Sequence, residues 1–184
     1  MGHNHNDGHH PNLQVLIQPN IGLDQDVRQS IVDILNNTLA NEAVLSLKTR
    51  SAFWNVSGAG FIELHILFDS QYKQMNDISD EIAERVRMMG GMAIGSLQEF
   101  ITHSRMDEQP GVVPDALHLL ADHEAAIRFL REDARKSSEE YEDEGTFELL
   151  VGVMRLHEKM AWMLRSYLEN EPVQRGSQEV IFTE

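Results

Sequence analysis

The sequence predicts an all-α protein, folded as a four-helix bundle with one long crossover between the second and third helices. Apolar residues recur at the 3.6-residue helical period in four long segments, and glycine and proline signals separate these segments. The chain has 184 residues and no cysteine. This length suits one domain with its own core, and the lack of cysteine excludes disulfides and thiolate metal sites.

The first pair of helices is expected to form an antiparallel hairpin. Asp24 is expected to cap a helix that runs to about Val56, where the sequence Ser-Gly-Ala-Gly at 57–60 breaks it. A second helix is expected from Phe61 to about Met89, and Gly90 with the next glycine ends it.

The second pair of helices follows a long connection, residues 92–113, in which 96–102 could form a short helix. Pro114 suits the first turn of the third helix, which fades into a charged stretch at 136–144. The fourth helix is expected to begin near Thr146 as its cap and to end before Pro172.

These boundaries divide the chain into a tail at 1–23, a bundle at 24–170 and an acidic tail at 171–184. The N-terminal tail is rich in histidine, and neutral imidazoles bind divalent metals. A metal-collecting tail and an inert one remain open, with the candidate ligands being His3, His5, His9 and His10.

Candidate metal ligands lie on one face of the second helix. His65 and Asp69 are four residues apart, as are Asp80 and Glu84, so the members of each pair are neighbours on the helix surface. At about 100° per residue, all four fall in a stripe of about 100°. Oxygen and nitrogen ligands of this kind suit Fe(II), Mn(II) or Zn(II).

One helix cannot bring both pairs to one ion, because Asp69 and Asp80 are separated by roughly 16 Å of helical rise. The spacing is symmetric about Gln74 and Met75, however. If two copies of the helix pack antiparallel about a two-fold axis, His65 and Asp69 of one copy face Asp80 and Glu84 of the other. The sequence therefore predicts two identical intersubunit metal sites per dimer.

Several motifs, in order and at matching separations, are similar to those of the Dps miniferritins, the ferritin-like proteins first described as protecting DNA in starved bacteria. They read KTRxxxWNVxG at 48–58, FxELHxLFDxQY at 61–72, DEIAER at 80–85 and DEGTxxLLxxxxxxHEKMAWML at 143–164. The resemblance covers nearly all of residues 25–169 and implies a ferritin-like bundle.

The resemblance further implies a twelve-subunit hollow shell that oxidises Fe(II), with hydrogen peroxide or oxygen, and stores ferric mineral. By motif, the iron ligands are His65, Asp69, Asp80 and Glu84, and Trp54 is the aromatic residue beside the site. Asp143 and Glu148 match positions associated with an acidic iron-entry pore. The resemblance thus implies a ferroxidase that defends against oxidative stress, with iron, or zinc at the same site, as the bound metal.

One ligand of the family pattern is missing. Phe53 stands where the family usually has a histidine before Trp-Asn-Val, and a phenyl ring cannot bind metal. Water, a tail histidine, His103 or His157 are the open replacements. His123 and His157 lie among apolar residues, which is more typical of hydrogen-bonded structural histidines. A metal-binding shell with weak or no ferroxidase activity is therefore the alternative function.

DNA compaction is a third reading, which the charge pattern disfavours. The formal net charge is −15 at pH 7, and the first basic residue is Arg28, inside the first helix. Binding to DNA requires accessible positive charge to neutralise phosphates. We therefore expect no substantial DNA binding at neutral pH. Because the sequence has no cysteine, no apolar run of membrane-spanning length and no basic and apolar signal segment at the N-terminus, we also expect no membrane association and a cytoplasmic protein.

Overall fold

The computed structural model describes residues 17–170, which form five helices and no strand within that range. The long helices are α1 (Gln25–Asn55), α2 (Phe61–Met88), α4 (Ala116–Glu139) and α5 (Glu144–Asn170), and the short α3 (Leu97–His103) lies in the crossover. The predicted bundle with a crossover helix is confirmed. None of these helices is long and apolar enough to cross a membrane.

The core runs along the axis of the bundle, where each long helix contributes its apolar stripe. Leu35 of α1, Met75 of α2, Leu119 of α4 and Leu150 of α5 have no exposed surface. Side chains removed from water in this way supply the main driving force for folding. The packing fixes which face of each helix points outward, and it leaves the ligand stripe of α2 at the surface.

The α1–α2 turn depends on Gly60, which precedes the first residue of α2 in the left-handed conformation, with φ at 72°. A Cβ atom at this position would lie 1.9 Å from the Tyr167 hydroxyl of α5. Only glycine satisfies both the backbone conformation and the close approach. This turn sets where α2 begins and therefore where His65 lies relative to α1.

Two buried asparagines of α1 hold the crossover against the bundle. The Asn36 side chain donates to the carbonyl of Met92 and accepts from the backbone N–H of Ile94. The Asn41 side chain accepts from the backbone N–H of Arg105, 2.7 Å away. Buried backbone groups of this irregular segment thus find partners, as buried polar groups must.

The helix starts differ slightly from the predicted ones. The last helix begins at Glu144 rather than near Thr146, and the capping carboxylate belongs to Asp143, which accepts from the backbone N–H of Thr146. Asp24 stands at the N-cap position of α1, but its side chain makes no capping hydrogen bond. Both differences reflect which side chain reaches the free N–H groups of the first turn.

Candidate metal centre

His65 is held by the backbone of the neighbouring helix. Its Nδ1 lies 3.0 Å from the carbonyl oxygen of Phe53, near the end of α1. A carbonyl only accepts, so Nδ1 carries the proton and donates it, which leaves the lone pair on Nε2. A hydrogen bond of this kind is the usual way in which a metal-binding imidazole is oriented and its tautomer fixed.

Aromatic rings enclose the His65 imidazole. The Phe53 ring stacks on it at a centroid distance of 4.1 Å, and the Phe61 ring stacks at 5.1 Å. Tyr72 lies 5.5 Å from the Phe53 ring. The phenyl ring of Phe53 cannot bind metal, but this ring and the Phe53 carbonyl both fix the orientation of the candidate ligand His65. The sequence gives no sign of this supporting role.

Asp69 lies one turn further along α2, and it is ion-paired. Its Oδ2 accepts a hydrogen bond of 2.7 Å from the Lys73 ammonium group. The pKa of the Asp69 carboxyl is lowered, mainly by this hydrogen bond and also by Tyr72 and by the charges of Lys73 and His65. Asp69 is therefore an ionised carboxylate over the neutral pH range, as a metal ligand requires.

Asp80 and Glu84 form the second pair and are exposed on α2. One subunit does not bring them to His65 and Asp69, because the two pairs are separated along a single continuous helix. Within residues 17–170, no group of three histidine or acidic side chains is placed to hold a metal ion in one subunit. A complete centre built from this stripe requires a second copy of α2, and that arrangement stays a prediction.

Trp54 follows Phe53 and is 64% exposed. The Arg50 guanidinium lies over its ring, 5.0 Å from the centroid, and is 5.6 Å from the centroid of Tyr72. These cation–π contacts hold the indole at the surface beside the aromatic enclosure of His65. The predicted role of Trp54 beside the metal site stays a prediction.

The two predicted pore residues have different environments. Asp143 is buried, and its carboxylate accepts from the Arg85 guanidinium at 2.8 Å and from the Thr146 hydroxyl. Glu148 is exposed and lines a shallow surface cavity together with Glu81. Within one subunit, Asp143 thus joins α2 to the start of α5. Among the described residues, Glu148 has no comparable hydrogen bond or ion pair and lies at the cavity surface. Their role in iron entry stays a prediction.

The histidines considered as replacements for the missing ligand are otherwise engaged. His157 uses both ring nitrogens, Nε2 with Glu42 at 2.8 Å and Nδ1 with Nδ1 of His123 at 2.9 Å. All three side chains are buried, which confirms the expectation of structural histidines. His103 pairs through Nδ1 with Asn37. The tail histidines lie outside the described residues.

The sequence did not predict that Glu42, His157 and His123 form one hydrogen-bonded network. Glu42 comes from α1, His123 from α4 and His157 from α5, so the three positions are far apart in the chain. The available signal was a charged residue in the apolar stripe of α1. A charge there demands a buried partner, because an unpaired charge in a core is very costly.

Comparison with known proteins identifies the family. The sequence profile of the ferritin-like domain family matches residues 32–172. A DNA protection during starvation protein of Agrobacterium fabrum is 30% identical over 152 residues, which cover 81% of this chain and 94% of that protein. The chain belongs to the Dps family of ferritin-like proteins. The family resemblance inferred from the motifs is confirmed.

Two further comparisons extend this assignment. A low temperature-induced protein of Nostoc, described as uncharacterised, is 41% identical over 159 residues. The alignment covers 84% of this chain and 89% of that protein. DpsC from Streptomyces coelicolor has the same fold, with a TM-score of 0.80 at 30% identity, over 87% of this chain and 95% of that one. A Dps protein from Vibrio cholerae, whose structure is described as that of a member of a ferritin-like diiron-carboxylate superfamily, gives a TM-score of 0.76 at 29% identity, over 84% and 98%.

Proposed function

We propose that this Dps-family protein oxidises Fe(II) at sites between subunits and stores ferric iron inside a hollow shell. Membership of the family supports a role in iron storage and protection. The shell would contain twelve subunits assembled from two-fold dimers, and the oxidant would be hydrogen peroxide or oxygen. Removal of Fe(II) and peroxide together would protect a cytoplasm against oxidative stress.

The observation that carries the proposal is the state of His65. Its Nδ1–H is committed to the Phe53 carbonyl, which leaves Nε2 available on the helix face that also bears Asp69. Asp80 and Glu84 of a partner would complete a ligand set of one imidazole and three carboxylates, a hard set that suits iron. The two-fold symmetry of the spacing would create two such centres at each dimer contact.

The chemistry requires little of the protein beyond positioning. Two Fe(II) ions each give one electron to a molecule of hydrogen peroxide, whose O–O bond breaks, and with two protons it becomes two waters. The protein's residues would hold Fe(II) with open coordination positions that the oxidant can reach. The carboxylates would stabilise the product Fe(III), which prefers anionic oxygen ligands.

Phe53 supports a second candidate, a metal-binding shell with weak or no ferroxidase activity. Each centre lacks the imidazole that the family usually places at this position, and His157 cannot supply it because both of its nitrogens are engaged in the core. Under this reading, iron is bound and stored with slow oxidation. DNA compaction has no comparable support, since the chain carries 30 acidic residues against 15 basic ones.

Mixing the purified protein with Fe(II), and then with peroxide or oxygen, tests the proposal. We expect ferric absorbance that rises faster than in buffer alone. His65→Asn should abolish the excess rate, whereas His118→Asn should not, because His118 is an exposed histidine of α4 that pairs with Asp115, the N-cap residue of that helix. Absorbance no faster than the buffer control would refute ferroxidase activity and favour the second candidate.

The Phe53→His variant separates the two candidates further. If the loss of an imidazole has weakened the centre, the variant should oxidise Fe(II) faster or bind it more tightly than the natural chain. The contact with His65 would change as well, but the Phe53 carbonyl that fixes the tautomer belongs to the backbone and survives the substitution. An unchanged or slower rate would mean that Phe53 is not what limits the centre.

A further inference from the structure

A lysine stands between the two ligand pairs of α2. Taking His65 as zero and about 100° per residue, Lys73 falls near 80°, within the stripe that contains Asp69, Asp80 and Glu84. Its ammonium nitrogen lies 2.7 Å from Oδ2 of Asp69. Arg87, the other basic side chain on this face, is turned away to the carbonyl of Gly91. Within residues 17–170, Lys73 is thus the cation that contacts a carboxylate of the α2 ligand stripe.

The Lys73 ammonium group competes directly with a metal ion for the Asp69 carboxylate. A divalent ion at Asp69 must share the carboxylate with an ammonium group or displace it. A lysine side chain is positively charged at neutral pH. The Lys73 ammonium group therefore remains beside the Asp69 carboxylate, 2.7 Å away, unless a cation that binds more strongly replaces it.

The size of the competition follows from the charges. At the dielectric constant of water, a unit positive charge roughly 5 Å from a divalent ion weakens binding of that ion about fivefold after screening by salt. The pair contributes little to folding, because an exposed ion pair on a helix surface gains little in water and is screened by salt. An effect on metal binding is thus separable from an effect on stability.

We propose that Lys73 determines the metal affinity of this centre, holding Asp69 and making every divalent cation bind more weakly than the ligand set alone would allow. The inference rests on the proposed intersubunit metal site and deepens it. Phe53 removes one ligand and Lys73 occupies another, so the two residues act in the same direction. A cation must therefore be abundant to load the centre, and it is released readily afterwards.

The symmetry of the predicted dimer strengthens the effect. In the antiparallel arrangement, Asp69 of one helix faces Asp80 of the other, so each Lys73 lies about one turn from the level of both carboxylates. The ammonium group would then lie near Asp80 of the partner subunit as well as Asp69. Lys73 is a positioning residue that acts through the carboxylates and does not itself bind metal.

Zinc titration by calorimetry tests the proposal, because Zn(II) binds without being oxidised. Lys73→Gln should tighten zinc binding about fivefold, whereas Lys73→Arg, which keeps the charge, should remain within about twofold of the natural chain. The matched control is Lys136→Gln, which breaks an equivalent i,i+4 pair with Glu132 and should leave zinc affinity unchanged. All proteins are full-length and carry asparagine in place of the tail histidines, which are His3, His5, His9 and His10.

A double-mutant cycle with Asp69→Asn completes the test. Because Lys73 occupies Asp69 as well as repelling the metal ion, the tightening caused by Lys73→Gln should be smaller when Asp69 is already neutral. Equal affinities of the natural chain and Lys73→Gln, or an arginine variant that tightens as the glutamine variant does, would overturn the role of Lys73 alone. A complete lack of zinc binding in every protein would overturn the proposed metal site and this inference with it.

Discussion

The buried histidine His123 should make the bundle sensitive to acid, and His123→Gln should remove this sensitivity. The His123 side chain has no exposed surface, and its pKa lies well below the ordinary value, first because of burial and second because of the nearby charge of His157. In the unfolded chain the same imidazole titrates near its usual pKa of about 6.5. Below that pH, the His123 imidazole binds a proton in the unfolded state but stays neutral in the folded state.

The sign and size of the effect follow from this difference. Because the pKa of His123 is lower in the folded state than in the unfolded state, its contribution to the free energy of unfolding is fully present above about pH 6.5. This contribution is lost progressively as the pH falls below that value. The slope approaches about 1.4 kcal/mol per pH unit, which gives a loss of about 2 kcal/mol between pH 8 and pH 5. Glu42 on α1 and His157 on α5, the ionisable groups that form this cluster with His123, are both retained in the variant.

Urea denaturation at pH 8 and pH 5, with EDTA and a fixed protein concentration, measures the effect. The natural chain should lose about 2 kcal/mol more of its free energy of unfolding than His123→Gln does over this range. His118→Gln, on the same helix but exposed, should behave as the natural chain does. Equal losses in the natural chain and His123→Gln would refute the reasoning.

Two further predictions concern the positions that set helix starts. Gly60→Ala should lower the melting temperature more than Gly58→Ala, since both have positive φ but only a Cβ at Gly60 meets Tyr167; equal shifts in calorimetry would contradict this. Asp143→Asn should cost roughly 3 kcal/mol of unfolding free energy in denaturant titration, because it removes the partner of the part-buried Arg85 guanidinium. A loss below about 1 kcal/mol would mean that this ion pair contributes little.

The fold could be predicted from the sequence because its signals are local. The apolar period of each long helix and the glycines after Val56 and Met89 specify where the chain turns. The exact starts were less predictable, since Asp143 and Thr146 are both good caps and only the geometry of the turn selects between them. Residue spacing alone does not reveal which side chain will bind the free N–H groups in the first turn of a helix.

The spacing of the candidate ligands is readable from the sequence, but the contacts around them are not. The i,i+4 spacing places His65 beside Asp69 on any regular helix. The Phe53 carbonyl that orients His65 is a contact between two helices, and no sequence pattern encodes which backbone oxygen an imidazole will meet. Lys73 was visible in the sequence, yet its importance depends on its partner, because it could have paired with Asp77, also four residues away, instead of Asp69.

Anomalous diffraction from crystals loaded with iron, and separately with zinc, tests the central claim most directly. We expect a metal peak at each two-fold contact, bound by Nε2 of His65 and by Asp69 of one subunit and by Asp80 and Glu84 of the partner. Peaks that lie elsewhere, or that are bound by residues of one subunit alone, would contradict the intersubunit centre.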